Sequence, residues 1–125
     1  MIYEFCAENV TLLEKAMQAG ARRIELCDNL AVGGTTPSYG VTKAAVELAA
    51  NYDTTIMTMI RPRGGDFVYN ELEIAIMLED IRLATQAGSQ GVVFGALTAE
   101  KKLDKPNLEK LIALSLIHIS ETTRQ

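Results

Sequence analysis

The feature that most constrains the fold is a fourfold alternation between short apolar runs and longer segments of helical period. The apolar runs predict strands over residues 2–6, 23–27, 54–60 and 91–95. Apolar residues spaced three and four apart predict helices after Asn9 as N-cap, over 41–50 and 71–87, and from 106 to 114. This repeated strand–helix order predicts a parallel sheet with right-handed crossovers.

An internal repeat supports the same architecture. Residues 16–21 resemble residues 84–89, and in both segments an Ala-Gly pair closes a predicted helix before a predicted strand. The two segments lie two strand–helix units apart, as expected when each unit packs mainly on its neighbours. An Ala-Gly pair is also a common helix stop, which explains the glycine by itself.

The number of units defines the fold class. Four strand–helix units are half of a parallel (β/α) barrel of TIM type, which needs about 250 residues when complete, and this chain has 125. The sequence therefore predicts an α/β protein that is a truncated half-barrel. The competing architecture is an open doubly wound sheet, but the Gly-x-Gly-x-x-Gly pattern of dinucleotide-binding sheets does not follow the first strand.

Composition excludes several classes of function. The formal net charge of -4 argues against a nucleic-acid binder, which needs a basic face. No apolar run reaches the length of a membrane span, about 18 residues. The first residues have no basic segment followed by an apolar stretch, so no secretory signal is expected. These features predict a cytoplasmic protein with reduced cysteines.

The first candidate site combines thiols with carboxylates. Glu4 and Cys6 are two apart in the first strand, as Glu25 and Cys27 are in the second, so each pair shares one face of its strand. In β/α barrels the carboxyl ends of the strands hold the active site. Thiolates are soft ligands that select Cu(I), zinc or iron–sulfur clusters. The alternative is that each cysteine is simply a small buried apolar residue.

The second candidate site is the stretch from Arg61 to Asp66, where two arginines flank a proline and precede a Gly-Gly pair. Guanidinium groups bind carboxylates and phosphates through two parallel hydrogen bonds, so Arg61 and Arg63 predict an anion-binding mouth. Alternatively, Arg61 pairs with Glu25 or Glu4 inside the barrel. The Gly-rich loop over residues 33–40 is a weaker ligand-binding signal, and His118 is the only histidine.

Several stretches resemble the CutC family of copper-homeostasis proteins. They are residues 4–7, 23–30, 33–40, 59–69, 79–81 and 91–97, and the run Arg-Pro-Arg-Gly-Gly-Asp-Phe is the most specific of them. The resemblance implies a β/α barrel, a cytoplasmic location and a role in copper handling. It also implies that Cys6 and Cys27 match cysteines proposed as Cu(I) ligands in the family.

The resemblance is dense up to residue 114 and then stops. We therefore predict a CutC-like half-barrel over residues 1–114 and a tail over 115–125 that does not follow the family pattern. The family would continue into a fifth strand. A half-barrel exposes an unpaired strand edge and its inner faces, so we expect it to dimerise, to aggregate or to fold loosely.

Three functional hypotheses result. In the leading one, the chain handles copper and binds Cu(I) through Cys6 and Cys27. In the rival, the chain is an enzyme acting on a small anionic metabolite, with Glu4 or Glu25 as the acid/base. There Arg61 and Arg63 clamp the anion beside Asp66. The third hypothesis is that the truncated chain has no activity.

Overall fold

A computed structural model describes residues 4–123, with the side chains described as far as Ser115. Strands and helices alternate along this part of the chain as the sequence predicts, and a short 3₁₀ turn follows the second strand. In chain order the elements are β1 (Glu4–Glu8), α1 (Leu13–Gln18), β2 (Arg23–Cys27), the 3₁₀ turn (Leu30–Val32), α2 (Tyr39–Ala49), β3 (Thr55–Met59), α3 (Glu71–Gln86), β4 (Gly91–Val93) and α4 (Lys105–Thr123). The start of the predicted first strand, at residue 2, lies outside the described residues.

The four strands form one parallel sheet in the order β1-β2-β3-β4. Each strand pairs with the next strand along the chain, which is the order found in a β/α barrel. A doubly wound sheet instead reverses its strand order at a switch point, and the described strands show no reversal. The predicted fold class is confirmed as an α/β chain with the architecture of a truncated TIM-type barrel.

Helices cover one face of this sheet. Ala7, Ile24, Leu26 and Ile56 lie on the covered face and are almost fully buried against α1 and α2. Fully burying an Ile or Leu side chain contributes about 1.5–3 kcal/mol, so this face anchors the sheet. The alternate residues form the other face, which we call the open face: Glu4, Cys6, Glu8, Arg23, Glu25, Cys27, Thr55, Met57 and Met59.

A second apolar cluster lies between α3, α4 and the end of β3. Ile74, Met77, Ile81 and Ala84 point into it from α3, as the helical spacing predicts. This helix begins at a capping box: the Asn70 side chain accepts a hydrogen bond from the Glu73 backbone amide at 2.8 Å. The Glu73 side chain accepts one from the Asn70 amide at 3.0 Å. Such a cap stabilises a helix by about 1 kcal/mol.

The two halves of the internal repeat have the same backbone geometry. Gly20 follows α1 with a φ of 102°, and Gly88 follows α3 with a φ of 100°. Left-handed backbone of this kind is favourable for glycine and ends a helix by satisfying its last carbonyl groups. The repeat therefore marks two equivalent helix stops, each followed by a strand.

The first helix begins later than the sequence predicts. Asn9 has a φ of 57° and its side chain accepts a hydrogen bond from the adjacent Val10 amide, so it forms a local turn. The helix starts at Leu13, after Leu12 in a left-handed conformation without a side-chain cap. The prediction of Asn9 as N-cap is wrong because this side chain bonds the next residue rather than the first helical turn.

Helix α4 continues past the predicted boundary at residue 114. It runs from Lys105 to Thr123 and packs on α3 through Leu111, which is fully buried. The Asp104 side chain accepts a hydrogen bond from the Asn107 side chain at 2.7 Å at the start of the helix. None of the helices in the part of the chain that the structure describes is long and apolar enough to cross a membrane.

Candidate functional site on the open face

The strand register determines which side chains of the open face are neighbours. Cys6 lies beside Glu25, and Glu8 lies beside Cys27. The two cysteines are therefore diagonal neighbours on adjacent strands, offset by one step of the same face. Diagonal Cα atoms of this kind are about 7–8 Å apart, so the structure brings together Cys6, Glu25 and Cys27 on one surface.

The two thiols differ in their surroundings. Cys27 is 1% exposed, and its Sγ donates to the backbone oxygen of Ala7 at 3.6 Å. Cys6 is exposed to solvent. One thiol is therefore held in place at the end of β2 while the other is accessible from outside. Among the described residues, no group of three or more His, Cys, Asp or Glu side chains is arranged to hold a metal ion, and the side chain of His118 is not among those described.

Both thiols have raised pKa values. Partial desolvation raises the pKa of Cys6, and the negative charges of Glu25 and Glu4 raise it further. Burial raises the pKa of Cys27, followed by the neighbouring Cys6 and by the carboxylates Glu8, Asp28 and Glu25. A thiolate beside carboxylates is unfavourable because like charges repel. Both cysteines are therefore protonated thiols near neutral pH, and a bound cation would offset part of the repulsion that their thiolates would experience.

The carboxylates of this face have different partners. Glu4 accepts a hydrogen bond from Arg23 at 2.9 Å in an exposed ion pair. Glu8 accepts one from the backbone amide of Leu30 at 2.7 Å and so ties β1 to the loop after β2. Glu25 is half-buried and lies between Cys6 and Met57 in the register. Of the two predicted acid/base candidates, Glu25 is thus the one beside a thiol.

Two methionines on the same face were missed by the sequence reasoning. Met57 lies beside Glu25, and Cys27 and Met59 are the residues that follow the last registered pair of β2 and β3, Leu26 and Thr58. A Cβ atom added at Gly34 would lie 2.8 Å from the Met59 sulfur and 3.3 Å from the Cys27 Cβ. The loop after β2 therefore covers Cys27 and Met59 closely. The alternation of residues 55–59 was a usable signal, because it places both methionines on the face that carries the cysteines.

Arg61 lies just beyond β3 and holds two loops together. It is 8% exposed, and its guanidinium donates to the backbone oxygens of Val32 at 2.6 Å, Gly34 at 2.9 Å and Gly65 at 2.8 Å. It also lies over the Phe67 ring, 4.8 Å from the centroid. Within the described part of the chain Arg61 forms no ion pair with Glu25, Glu4 or any other carboxylate, and its Nε is buried without an acceptor.

Arg63 is engaged within its own loop. It pairs with Glu73 at the start of α3 and with Asp66 at 3.1 Å, and it donates to the backbone oxygen of Val68 at 2.8 Å. Hydrogen bonds from Arg63 lower the pKa of Glu73, and the Val68 amide and Arg63 lower the pKa of Asp66. Arg63 and Asp66 therefore bind each other, and Arg61 has no carboxylate partner among the described residues. The anion-binding role of these three residues stays a prediction.

A cleft of about 490 Å³ lies between the loops after β2 and β3 and helix α3. Its polar lining comes from both loops and from the middle of α3. The lining includes Asn29, Thr35, Thr36, Ser38, Arg61, Arg63 and Asp80. Ser38 is the N-cap of α2 and accepts a hydrogen bond from the Val41 amide at 3.1 Å. Burial raises the pKa of Asp80, and the charge of Glu79 raises it further.

The fold and the candidate site together define a class: a protein with the architecture of a parallel β/α barrel and with thiols, thioethers and carboxylates on the open face of its first three strands. The CutC family model matches residues 1–118, and the chain therefore belongs to the CutC family. The match extends slightly beyond residue 114, where the sequence predicts a domain boundary, and that boundary stays a prediction.

The most similar relatives include family protein CutC of Streptococcus pyogenes serotype M6, 57% identical over 112 residues, which are 90% of this chain and 54% of that protein. Family protein CutC of Enterococcus faecalis is 53% identical over 90% of this chain and 54% of its own length. The crystal structure of CutC from Streptococcus agalactiae, a protein named for copper homeostasis, matches with a TM-score of 0.88 and 48% identity. It covers 93% of this chain and 55% of that one. The chain thus spans about half the length of the relatives it matches.

Proposed function

We propose that this chain takes part in copper homeostasis by binding Cu(I) through Cys6 and Cys27. The observation that carries the proposal is the placement of the two cysteines on the open face of adjacent strands, one exposed and one buried. Copper here is the cargo of the protein. An exposed thiol suits the entry of the ion and a fixed buried thiol suits its retention.

The chemistry of the donor set fits Cu(I). Soft thiolate ligands select this ion over hard cations. Each bound Cu(I) would displace the protons of both thiols, so the ion and its two thiolates would have a net charge of minus one beside Glu4, Glu8 and Glu25. The same carboxylates raise the pKa of the thiols, so they oppose bare thiolates, and the positive charge of a bound ion would offset part of that repulsion.

The proposal includes the cytoplasm as the location, because its reducing conditions keep both thiols free for metal. It also includes a dimer, since β1 and β4 each leave one edge without a strand partner in the described residues. Unpaired edges of this kind favour strand pairing between chains.

A Cu(I) titration under anaerobic conditions tests the function. The protein should withdraw one Cu(I) per chain from a chromophoric chelator, and its apparent affinity should rise with pH. Both thiols have raised pKa values, so each must lose a proton on binding, and the two released protons give about a hundredfold increase per pH unit below the thiol pKa values. An affinity independent of pH between 6 and 8, or no copper withdrawn, would contradict the proposal.

A second candidate function is the binding of a small anion in the cleft beside Arg61. The observation that favours it is a buried guanidinium without a carboxylate partner among the described residues, whose Nε lacks an acceptor. An unpaired buried charge is costly, and a bound anion would neutralise it. The N-terminus of α2 at Ser38 contributes favourable backbone dipoles to the same cleft.

Inorganic phosphate is the probe for this second function. If the cleft takes anions, millimolar phosphate should raise the melting temperature above that in sodium chloride of equal ionic strength, because a ligand of the native state stabilises it. Equal melting temperatures in the two salts would exclude the anion site. Neither salt should change the Cu(I) affinity, since the cysteines lie on the open face and not in the cleft.

A further inference from the structure

Met59 lies next to Cys27 on the open face and provides a third sulfur atom near the two cysteines. The register pairs Leu26 with Thr58, and the next residues of the two strands, Cys27 and Met59, are level at the carboxyl ends of β2 and β3. Both belong to the open face, on which Cys6 lies diagonally across from Cys27. Sulfur-bearing residues of three consecutive strands therefore share the open face, with Cys27 and Met59 at the carboxyl ends of their strands and Cys6 one step before the end of β1.

The surroundings of Gly34 show how close the side chains of Met59 and Cys27 are. A Cβ atom added there would lie 2.8 Å from the Met59 Sδ, 3.2 Å from its Cε and 3.3 Å from the Cys27 Cβ. The thioether and the Cys27 side chain thus meet beneath the same point of the loop. Gly34 has a φ of 95°, so the loop makes this approach in a conformation that L residues rarely adopt.

We propose that Met59 is the third ligand of the Cu(I) ion that Cys6 and Cys27 bind. This inference rests on the proposed function and adds a neutral thioether to its two thiolates. Thiolate and thioether sulfurs both select Cu(I). In the balanced step, Cu(I) binds two thiols and one thioether, and the two thiol protons go to solvent. Two thiolates and Cu(I) have a net charge of minus one, and a neutral third ligand adds no further negative charge beside Glu25 and Glu8.

Met57 supplies a matched control. It lies on the same strand and the same face, but its sulfur is 2.8 Å from the position of a Cβ added at Gly91, on the β4 side. Exchange of Met for Leu conserves volume and usually costs less than about 1.5 kcal/mol of stability. The two substitutions, Met59→Leu and Met57→Leu, therefore remove one thioether each with comparable effects on packing.

The experiment measures Cu(I) affinity by chelator competition, and copper K-edge X-ray absorption gives the number of sulfur neighbours. Met59→Leu should weaken binding at least about tenfold and reduce the sulfur shell from three neighbours to two. Met57→Leu should leave both unchanged. Because a thioether carries no proton, Met59→Leu should not change the pH slope of binding. Circular-dichroism melts of both variants verify that each is folded.

The outcomes separate this inference from the function on which it rests. If the parent binds Cu(I) with two sulfur neighbours and Met59→Leu binds as tightly, Met59 is not a ligand and the two-cysteine function stands. If Met57→Leu weakens binding as much as Met59→Leu, the effect is one of packing and the inference is overturned. If the parent withdraws no copper, the proposed function fails together with the ligand.

Discussion

Simultaneous replacement of Cys6 and Cys27 with serine should lower the Cu(I) affinity at least about a hundredfold, since loss of even a supporting partner costs metal sites 10–100-fold. A hydroxyl is a hard, weakly acidic group and does not replace a thiolate for a soft ion. Chelator competition at pH 7.5 measures the loss. A double variant that binds as tightly as the parent would exclude the cysteine site.

Variants with only one cysteine replaced distinguish the loss of a copper ligand from a loss of protein stability. Cys6 is exposed, so Cys6→Ser should leave the melting temperature unchanged and reduce only the affinity. Cys27 is buried and donates to the Ala7 oxygen, and Cys27→Ser therefore places a more polar group at a closely packed position. We expect this variant to lose both affinity and some stability. If Cys6→Ser alone leaves the affinity intact, Cys6 is not a ligand, whatever the double variant shows.

Much of the fold was predictable because burial periodicity determines it. Strand β2 has the predicted bounds, and α3 differs from the prediction by one residue at its end. In both elements the apolar residues recur with the period of the element, and the structure buries those residues. The repeat of Ala-Gly before β2 and β4 was also informative, since Gly20 and Gly88 have nearly the same backbone conformation.

The start of α1 was less predictable because capping depends on local hydrogen bonds that several residue types can make. Asn9 is a favourable N-cap by composition, but its side chain bonds the next amide and the helix begins at Leu13. By contrast, the Asn70 and Glu73 pair has the spacing of a capping box and forms one. Two reciprocal partners at a fixed spacing are a stronger signal than one polar residue.

The placement of the candidate residues on one face was predictable, but their register was not. Alternation places Glu4, Cys6, Glu25 and Cys27 on one face, as the structure has them. Which residues lie side by side depends on the register of the two strands, and the packing of the whole sheet determines that register. The sequence would equally allow Cys6 beside Cys27, whereas the register places Cys6 beside Glu25.

The arginines show a different limit of sequence reasoning. The stretch from Arg61 to Asp66 predicts guanidinium groups near a ligand. In the structure, the Arg61 guanidinium donates three hydrogen bonds to backbone carbonyls of two loops. Backbone acceptors have no signature in residue type. The pairing of Arg63 with Glu73 joins residues on either side of a loop, and residue type alone does not predict that contact.

Replacing Arg61 with alanine should destabilise the protein by about 2–4 kcal/mol, because three buried or partly buried carbonyl groups lose their donor. The acceptors belong to Val32 and Gly34 in one loop and to Gly65 in the next. The stacking on Phe67 is lost as well. Urea unfolding at 25 °C followed by circular dichroism measures the change, and limited proteolysis should find both loops more accessible.

Two further variants control this prediction. Arg61→Lys keeps the charge but offers one ammonium group, which cannot reach carbonyls of two loops in the geometry of a guanidinium. It should therefore recover only part of the loss. Arg82→Ala removes an exposed arginine that pairs with Glu79 on α3, and it should change stability by less than about 0.5 kcal/mol. If Arg61→Ala costs no more than Arg82→Ala, Arg61 does not hold the loops together. If Arg61→Lys is as stable as the parent, a positive charge at position 61 is enough to maintain the stability of the protein. That result would favour the anion site over the loop-bridging role.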